Sequence, residues 1–329
     1  MESLKFHLKE AELMRIQIYG AGMAGSYLYE LLSQRGYDVR IYDVRSKPDC
    51  RCAWGIAYTE AKELYSKVGV NLDDYVLAKP KEIVINDKIV LRNKNLYIFD
   101  RKRLLEDLWK DFELEKGDGD VVVDATGCAR AILPKIENDA IYCTVQYIER
   151  HDLDENIYVQ MRKTGYAWAF PLGDRWHIGA GDLTYERALE LIDQLRRVYD
   201  IPEVERVCEC RAKIRMLPPS KCKPIVHGNV YGVGEAIGCV SGGGEGNAPS
   251  LRCAYLFYEC LEAGELHDYE KRVLEEFWWI EEEHKFLYAV QNDKKLTALR
   301  LLPKVVSIES KRSVHQSVRD IKNLLNLLR

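Results

Sequence analysis

Two glycine-rich segments, far apart in the chain, have the composition of turns that bind a phosphorylated ligand. The first is 20–25, with glycine at its first, third and sixth positions, and it follows the apolar, strand-like segment 15–19. The second is 234–246, and it follows a similar segment, 229–233. A glycine turn between a strand and a helix presents backbone amides at the helix N-terminus, where they bind phosphate. The first turn predicts a dinucleotide site, and the second indicates that the dinucleotide is a flavin held at both ends.

The first glycine turn has the G-x-G-x-x-G spacing of a dinucleotide-binding fingerprint. Gly20 permits the tight turn, Gly22 lets the backbone approach the phosphates, and Gly25 lets the helix pack close to the strand. A second predicted strand ends at Asp43, whose carboxylate can accept hydrogen bonds from the adenosine ribose. Arg45 could contact the adenosine or a 2′-phosphate, but a solvated surface arginine is the preferred interpretation. The alternative to a dinucleotide site is a plain strand–helix turn with a chance acidic residue.

Length and composition exclude several classes of protein. The 329 residues exceed the usual size of a single core, so a large α/β unit with a second domain is expected. Hydrophobic residues make up 47% of the chain and charged residues 30%, which is ordinary for a globular protein. The net charge of −4 argues against a nucleic-acid partner. No apolar run is long enough to span a bilayer and the charged N-terminus is not a signal peptide, so a cytoplasmic location is expected.

Peripheral contact with a membrane is a further expectation, because the segment 313–329 has a basic amphipathic pattern. Packing of that segment on its own domain is the preferred interpretation.

The ten cysteines include two C-x-C pairs, Cys50 with Cys52 and Cys208 with Cys210. Such pairs could bind a metal or form disulfides. The chain has no C-x-x-C pair of a zinc ribbon and no ferredoxin-like run, so no metal site is expected. Most of the cysteines are predicted to be small buried side chains.

The order of predicted elements describes a discontinuous domain with an insertion. The continuous apolar strand 121–123 is typical of a parallel sheet, and it ends at the loop 124–127, which would close over the dinucleotide. Several segments within 140–182 alternate like antiparallel strands and form a separate platform. The fold class is therefore α/β: a Rossmann-like dinucleotide-binding domain with an inserted antiparallel β-sheet domain and C-terminal helices. The predicted divisions are 1–65, 96–135 and 205–265 for the dinucleotide-binding domain, 66–95 and 136–204 for the platform, and 266–329 for the helical region.

The platform also carries a specific motif. Tyr166, Trp168, Phe170 and Pro171 are followed, after seven residues, by the glycines of 179–181. This pattern resembles the Y-x-W-x-F-P…G-x-G signature of the geranylgeranyl reductase family, which belongs to the flavoprotein class built like p-hydroxybenzoate hydroxylase.

Three further segments match that family in the same order, so the resemblance covers about 15–262. Asp100-Arg101 resembles the flavin-contacting arginine, 124–127 resembles the A-D-G loop, and 234–246 resembles the second flavin segment. The resemblance implies that FAD is the cofactor. The FAD-binding residues that it implies, together with those of the first turn, are Gly20, Gly22, Gly25, Asp43, Arg101, Gly127, Gly234, Glu235, Gly243, Gly244 and Gly246.

The resemblance implies reduction of isolated C=C bonds in a geranylgeranyl lipid by hydride from reduced flavin. Tyr166, Trp168 and Phe170 alternate along one strand and so point to one side of the sheet. With Pro171, they would bind the isoprenoid substrate and wall a tunnel for it. An ordinary sheet core is the alternative for these aromatic residues.

Three departures from the family leave its chemistry open. Glu235 stands where the family usually has Asp, and the usual β meander is reduced to 112–115. The active-site Cys-Gly pair of the family is only loosely present near Cys50 and Cys52. Cys52 is the first candidate for the catalytic proton donor and Cys50 the second, although either thiol could be structural.

No second dinucleotide fingerprint supplies a site for a reductant. The electron donor would therefore be a docked ferredoxin, or NAD(P)H bound without a domain of its own. The alternatives to a prenyl reductase are a flavin monooxygenase, another oxidoreductase of the same fold, and a flavin- or lipid-binding protein without turnover.

Overall fold

The structure is a computed structural model that describes residues 14–49, 53–312 and the strand 314–315. The strands, in chain order, are β1 (Arg15–Tyr19), β2 (Asp38–Tyr42), β3 (Gly55–Ala57), β4 (Val76–Ala78), β5 (Glu82–Ile85), β6 (Ile89–Asn93), β7 (Leu96–Phe99), β8 (Val121–Asp124), β9 (Ile141–Glu149), β10 (Ile157–Met161), β11 (Tyr166–Pro171), β12 (Trp176–Asp182), β13 (Arg206–Arg215), β14 (Val226–His227), β15 (Val230–Gly232) and β16 (Val314–His315). The helices are α1 (Met23–Ser33), α2 (Tyr58–Ser66), α3 (Arg101–Leu108), α4 (Tyr185–Tyr199), α5 (Asn247–Glu262), α6 (Tyr269–Glu276), α7 (Trp278–Gln291) and α8 (Lys295–Arg312).

A five-stranded sheet with the order β14-β15-β8-β1-β2 forms the dinucleotide-binding domain. The strand β1 is parallel to β2 and to β8, and β15 is parallel to β8. Ile16 and Ile18 on one face of β1 and Gln17 on the other are at most 1% exposed, so this central strand is covered on both faces, as parallel sheets require. The helices α1 and α5 pack against each other beside it. This is the Rossmann-like sheet that the sequence predicted.

An eight-stranded sheet with the order β13-β9-β12-β11-β10-β5-β6-β16 forms the platform. Its paired strands are antiparallel except for β10 and β5. The predicted insertion of an antiparallel sheet is confirmed.

The membership of this sheet corrects two assignments made from the sequence. β13 was expected within the dinucleotide-binding segment 205–265, but it pairs along the whole of β9, from Arg206 opposite Glu149 to Arg215 opposite Ile141. The region 266–329 is not helical throughout, because β16 pairs with β6. In both cases the sequence pattern marks a local conformation, whereas hydrogen bonds between distant segments decide which sheet edge a strand joins.

The two faces of the platform carry different layers because side chains alternate along each strand. Ala167 and Ala169 lie in the apolar cluster that includes α4, whose side of the sheet needs small residues for close packing. Trp168 and Phe170 belong instead to the cluster that includes Trp54 and the three-stranded sheet β3-β7-β4. The aromatic wall, defined as Tyr166, Trp168 and Phe170, therefore faces the side of the platform away from α4.

The helices α6, α7 and α8 follow the dinucleotide-binding domain, and α7 packs along α8. Within the described parts of the chain, no helix is long and apolar enough to cross a membrane.

Candidate functional site

The first glycine turn is built by close packing at two of its three glycines. Gly20 has a φ of +97°, and a Cβ there would lie 2.4 Å from the Ala125 carbonyl oxygen. A Cβ on Gly25 would lie 1.8 Å from the carbonyl oxygen of Gly20. At Gly22 a Cβ would meet nothing within 4 Å, so this glycine borders open space at the start of α1. Gly20 and Gly25 therefore have the tight turn and the close packing expected of them, and open space lies beside Gly22 alone of the three.

Asp43 lies at the end of β2, beside the turn, but its carboxylate is already engaged. It accepts hydrogen bonds from the Ala21 amide at 2.8 Å and from the Arg45 amide, Nε and Nη2 at 2.9, 2.9 and 2.8 Å. Burial alone would raise the pKa of Asp43, but the hydrogen bonds from Arg45 and Ala21 outweigh burial and lower it. Arg45 is therefore not the solvated surface arginine expected from the sequence, because it pairs with the residue predicted to bind ribose.

The second glycine loop, 234–246, satisfies part of its own backbone. The Gly244 amide donates to the Ser241 carbonyl at 2.9 Å, and the Glu245 amide donates to Ser241 Oγ at 3.0 Å. Within the described chain, the amides of Gly243 and Gly246 have no acceptor. Only some of the amides predicted to face the flavin are thus available to a ligand.

Glu235 and Gly127 are brought together by Arg215, a residue that the sequence analysis missed. The Arg215 amide donates to Glu235 Oε1 at 2.8 Å, and the guanidinium donates to the carbonyl oxygens of Gly127, Cys128 and Glu235 at 3.4, 2.9 and 3.1 Å. The guanidinium also pairs with Asp139 at 2.8 Å, and Arg215 is only 2% exposed. Nothing in the basic sequence of β13 distinguishes this arginine from its neighbours.

Arg101 begins α3, where the Asp100 side chain accepts a hydrogen bond from the Arg103 amide and caps the helix. Arg101 is 9% exposed. Burial raises the pKa of Glu235, and the charges of Arg215 and Arg101 oppose that rise. Gly127 and Glu235, which are far apart in the sequence, thus lie together around Arg215, and the charge of Arg101 acts on Glu235.

Gly234 is the first residue of the second glycine loop, and its amide donates to Cys253 Sγ at 3.3 Å. Helix α5, which contains Cys253, is thereby held against the start of the loop.

The platform meets the second glycine loop at Tyr166. Its hydroxyl donates to the carbonyl oxygen of Gly243 at 2.6 Å. From there the aromatic wall extends along β11 to Phe170, about 13 Å away at the rise of an extended strand. Pro171 was expected with these residues, but the alternation of side chains places it on the α4 side, with its cross-strand partner Trp176. Trp168 and Phe170 are 4% and 8% exposed, so the wall is covered by other side chains in this conformation.

His177 is a second residue that the sequence analysis missed. Trp168 Nε1 donates to His177 Nδ1 at 3.0 Å, and the two rings lie nearly parallel and edge to edge, with centroids 6.2 Å apart. Burial lowers the pKa of His177 to about 4, so the imidazole is neutral at physiological pH and its hydrogen lies on Nε2. The position of His177, two residues before Gly179 on β12, is the signal that could have placed it on the wall's face.

The candidate catalytic residues Cys50 and Cys52 lie outside the described residues. The segment that follows them is tied to α5, since Asn247 Nδ2 donates to the carbonyl oxygens of Gly55 at 2.8 Å and Ala53 at 3.4 Å. Among the described residues, no group of His, Cys, Asp or Glu could hold a metal ion.

The remaining cysteines divide by burial. Cys222, Cys239, Cys253 and Cys260 are buried, in agreement with the prediction of small core side chains. Cys208 and Cys210 lie on the platform strand β13, where Cys210 Sγ accepts a hydrogen bond from Gln146.

The residues of the two glycine segments fit FAD. No side chain caps the N-terminus of α1 in the described chain, which leaves its first amides to a phosphate beside Gly22. The amides of Gly243 and Gly246 suit the carbonyl edge of a flavin ring. For the adenosine ribose to bind at Asp43, one of its hydroxyls would have to take the place of the Arg45 guanidinium as a donor to the Asp43 carboxylate.

Comparison with known proteins supports the fold. Residues 18–53 match the family of NAD(P)-binding Rossmann-like domains. An uncharacterised protein of Methanocaldococcus jannaschii is 26% identical, over 94% of this chain and 99% of its own. The solved structure of a geranylgeranyl bacteriochlorophyll reductase-like protein from Thermoplasma acidophilum has a TM-score of 0.70 and 19% identity, and the match covers 94% of this chain and 95% of that one.

Other flavoproteins align over similar lengths. Klebsiella pneumoniae HpxO, solved in complex with FAD and uric acid, has a TM-score of 0.64 and 13% identity, covering 96% of both chains. A probable FAD-dependent monooxygenase from Pseudomonas aeruginosa has a TM-score of 0.62 and 17% identity, covering 88% of this chain and 99% of that one. The chain therefore has the FAD-dependent oxidoreductase fold that its sequence predicted, and a geranylgeranyl reductase-like protein is among those that share it.

Proposed function

We propose that the protein is an FAD-dependent reductase of isolated C=C bonds in isoprenoid lipid chains. The observation that carries this proposal is the hydrogen bond from Tyr166 to the Gly243 carbonyl, because it joins the aromatic wall of the platform to the second glycine loop. An isoprenoid chain offers apolar surface and little to hydrogen-bond, which suits a wall built of aromatic rings.

FAD would lie between the two glycine segments. Its pyrophosphate would meet the start of α1 beside Gly22, and Asp43 would receive the adenosine ribose. Arg101, Gly127 and Glu235 would line the middle of the cofactor. The flavin ring would lie against the loop 243–246. When bound and reduced, FAD supplies the hydride.

The chain itself must then provide the substrate site and a proton. The substrate would bind along Tyr166, Trp168 and Phe170, which requires side chains that now cover the wall to move. General acid catalysis typically contributes about 10²–10⁴-fold. We assign the proton to Cys52, with Cys50 as the second candidate, on the basis of the family resemblance and the tie between Asn247 and Gly55.

The external partners follow from the same assignment. Ferredoxin or NAD(P)H would reduce the flavin, since the sequence carries only one dinucleotide fingerprint. The lipid substrate would be reached by peripheral contact with a membrane.

An anaerobic experiment tests the proposal. Dithionite-reduced protein is mixed with a geranylgeranyl lipid, flavin reoxidation is followed by absorbance, and the lipid is analysed by mass spectrometry. The proposal predicts reoxidation together with a mass increase of two hydrogens per reduced bond. The same lipid with a saturated chain is the control. If neither flavin reoxidation nor a mass increase of the lipid were observed, the proposal would be contradicted.

A flavin monooxygenase is the second candidate, because a probable FAD-dependent monooxygenase shares the fold at a TM-score of 0.62. Rapid oxygen consumption by the reduced protein with an aromatic substrate would favour it. Purified protein that is colourless and releases no flavin on denaturation would instead indicate a lipid-binding protein without turnover.

A further inference from the structure

The helix α7 holds the second glycine loop through two buried side chains. Glu283 Oε2 accepts a hydrogen bond from the Gly242 amide at 2.8 Å. The next residue, His284, donates from Nε2 to the carbonyl oxygen of Val240 at 3.0 Å. Glu283 and His284 are 5% and 7% exposed. The C-terminal helices, which lie outside the family resemblance, thus touch the proposed flavin site directly.

The contact between α7 and the loop leaves no room for adjustment. A Cβ on Gly242 would lie 2.9 Å from the Glu283 Cβ and 3.3 Å from the Glu283 carbonyl carbon. Glycine is therefore required at 242 for the approach of the helix, and the position of the loop depends on the Glu283 side chain.

The surroundings of Glu283 disfavour a negative charge. Its Oε1 accepts no hydrogen bond from a nitrogen donor in the described chain, and the carboxyl group that it meets is that of Glu309. The ionisable groups that face it are Glu309 and Arg312 of α8, and the Arg312 guanidinium also lies 3.7 Å from Glu245 of the loop. Burial and the neighbouring Glu309 raise the pKa of Glu283 to about 9, against the opposing effect of Arg312. The pair of carboxyls therefore keeps a proton at physiological pH, and the deeper burial of Glu283 favours that proton there rather than on the half-buried Glu309.

A neutral side chain matters because of what the loop would bind. Reduced flavin carries negative charge at the edge that the Gly243 and Gly246 amides would contact. A carboxylate attached to the same loop would oppose that charge, since like charges nearby disfavour each other. A carboxylic acid can hold the loop without this penalty.

We propose that Glu283 is a positioning residue that holds the second glycine loop in an uncharged form and thereby lets the loop stabilise an anionic reduced flavin. This inference rests on the proposed binding of FAD but not on the identity of the lipid.

The test measures the reduction potential of FAD bound to the full-length protein, from about pH 6 to about pH 10, in wild type, Glu283→Gln and Glu282→Gln. The Glu283→Gln side chain keeps an acceptor for the Gly242 amide and cannot ionise. Glu282 lies on the same helix and pairs with Lys285 and Lys304, so it serves as the matched control. Above about pH 9, the potential of wild type and of the Glu282 variant should fall more steeply with pH than that of Glu283→Gln.

The outcomes separate this inference from the proposed function. Equal pH slopes in all three proteins, with FAD bound, would overturn the role of Glu283 and leave the lipid reductase standing. A difference in pH slope without any reduction of the lipid would support the role of Glu283 and refute the proposed lipid substrate. If the protein bound no FAD, both proposals would fall.

Discussion

The hydroxyl of Tyr166 on the platform donates a 2.6 Å hydrogen bond to the carbonyl oxygen of Gly243 in the second glycine loop. This bond connects two parts of the fold that the sequence separates, and it places one end of the aromatic wall at the proposed flavin.

The first prediction concerns this bond. Tyr166→Phe removes the hydroxyl and keeps the ring, so flavin reoxidation by a geranylgeranyl lipid should slow about 5- to 10-fold, the worth of one hydrogen bond. Tyr158→Phe is the control, because that hydroxyl bonds to Asp154 and its ring packs on the α4 side of the platform. Stopped-flow absorbance measures both rates. Equal rates in the two variants would refute the link between wall and loop.

The second prediction uses two glycines of the first turn as a matched pair. Gly22 has φ and ψ values of −79° and −162°, and a Cβ there meets open space, so Gly22→Ala should change the free energy of unfolding by less than about 1 kcal/mol. Gly25→Ala should lower the free energy of unfolding by about 3 kcal/mol or more, because its Cβ would collide with the Gly20 carbonyl. Urea unfolding measures both.

Of these two variants, only Gly22→Ala should lose FAD affinity without losing stability. Gly22→Ala is expected to fold normally and to bind FAD at least about tenfold more weakly, since its methyl group would stand where the phosphates approach. A folded Gly22→Ala protein with unchanged FAD affinity would contradict this placement of the pyrophosphate.

The third prediction concerns Arg215. Replacement by Met leaves the Asp139 carboxylate and the carbonyl oxygens of Gly127, Cys128 and Glu235 without their guanidinium donor, which should cost about 2–3 kcal/mol in the free energy of unfolding. Arg211→Met on the same strand is the control, since that side chain is 55% exposed and should matter by less than about 0.5 kcal/mol. Denaturant titration distinguishes the two, and similar losses would argue against a role of Arg215 in holding Gly127 and Glu235 together.

The fourth prediction is a pH dependence of stability. The pKa of Glu283 is raised to about 9 in the folded protein, above the value near 4.3 of an unfolded glutamate. The folded state therefore binds the proton more tightly, and the stabilising contribution is complete below about pH 4.3 and is lost as the pH rises through about 9. The stability of wild type should fall relative to Glu283→Gln across this window, by up to about 1.4 kcal/mol per pH unit.

Thermal or urea unfolding at several pH values would measure this difference. Glu245, whose pKa burial raises to about 7, contributes in the same direction and is unchanged in both proteins. A constant difference between wild type and Glu283→Gln at all pH values would show that Glu283 ionises normally.

The fifth prediction concerns the adenosine end. Arg45→Ala should free the Asp43 carboxylate for the ribose and tighten FAD binding by about 3- to 10-fold, the equivalent of one hydrogen bond. Asp43→Asn should weaken binding. Fluorescence titration of the apoprotein with FAD measures both affinities, and weaker binding by Arg45→Ala would mean that the arginine itself contacts the cofactor.

Local sequence patterns were sufficient for the fold class and for part of the site. The G-x-G-x-x-G spacing, the apolar strands 15–19 and 121–123, and the alternation of Tyr166, Trp168 and Phe170 each act over a few residues. Spacing of this kind constrains backbone conformation and the face on which a side chain lies, so the Rossmann-like sheet, the inserted platform and the aromatic wall could be predicted.

Contacts between distant segments decided the rest. The strand β13 joined the platform, Arg215 linked the loops at Gly127 and Glu235, and Glu283 reached the amide of Gly242. Each of these depends on which surfaces the folded chain brings together, and on burial that makes an unpaired charge or amide unfavourable there. Periodicity and spacing along the chain depend on local conformation and do not indicate which distant residues pair, so only the tertiary structure could assign these contacts.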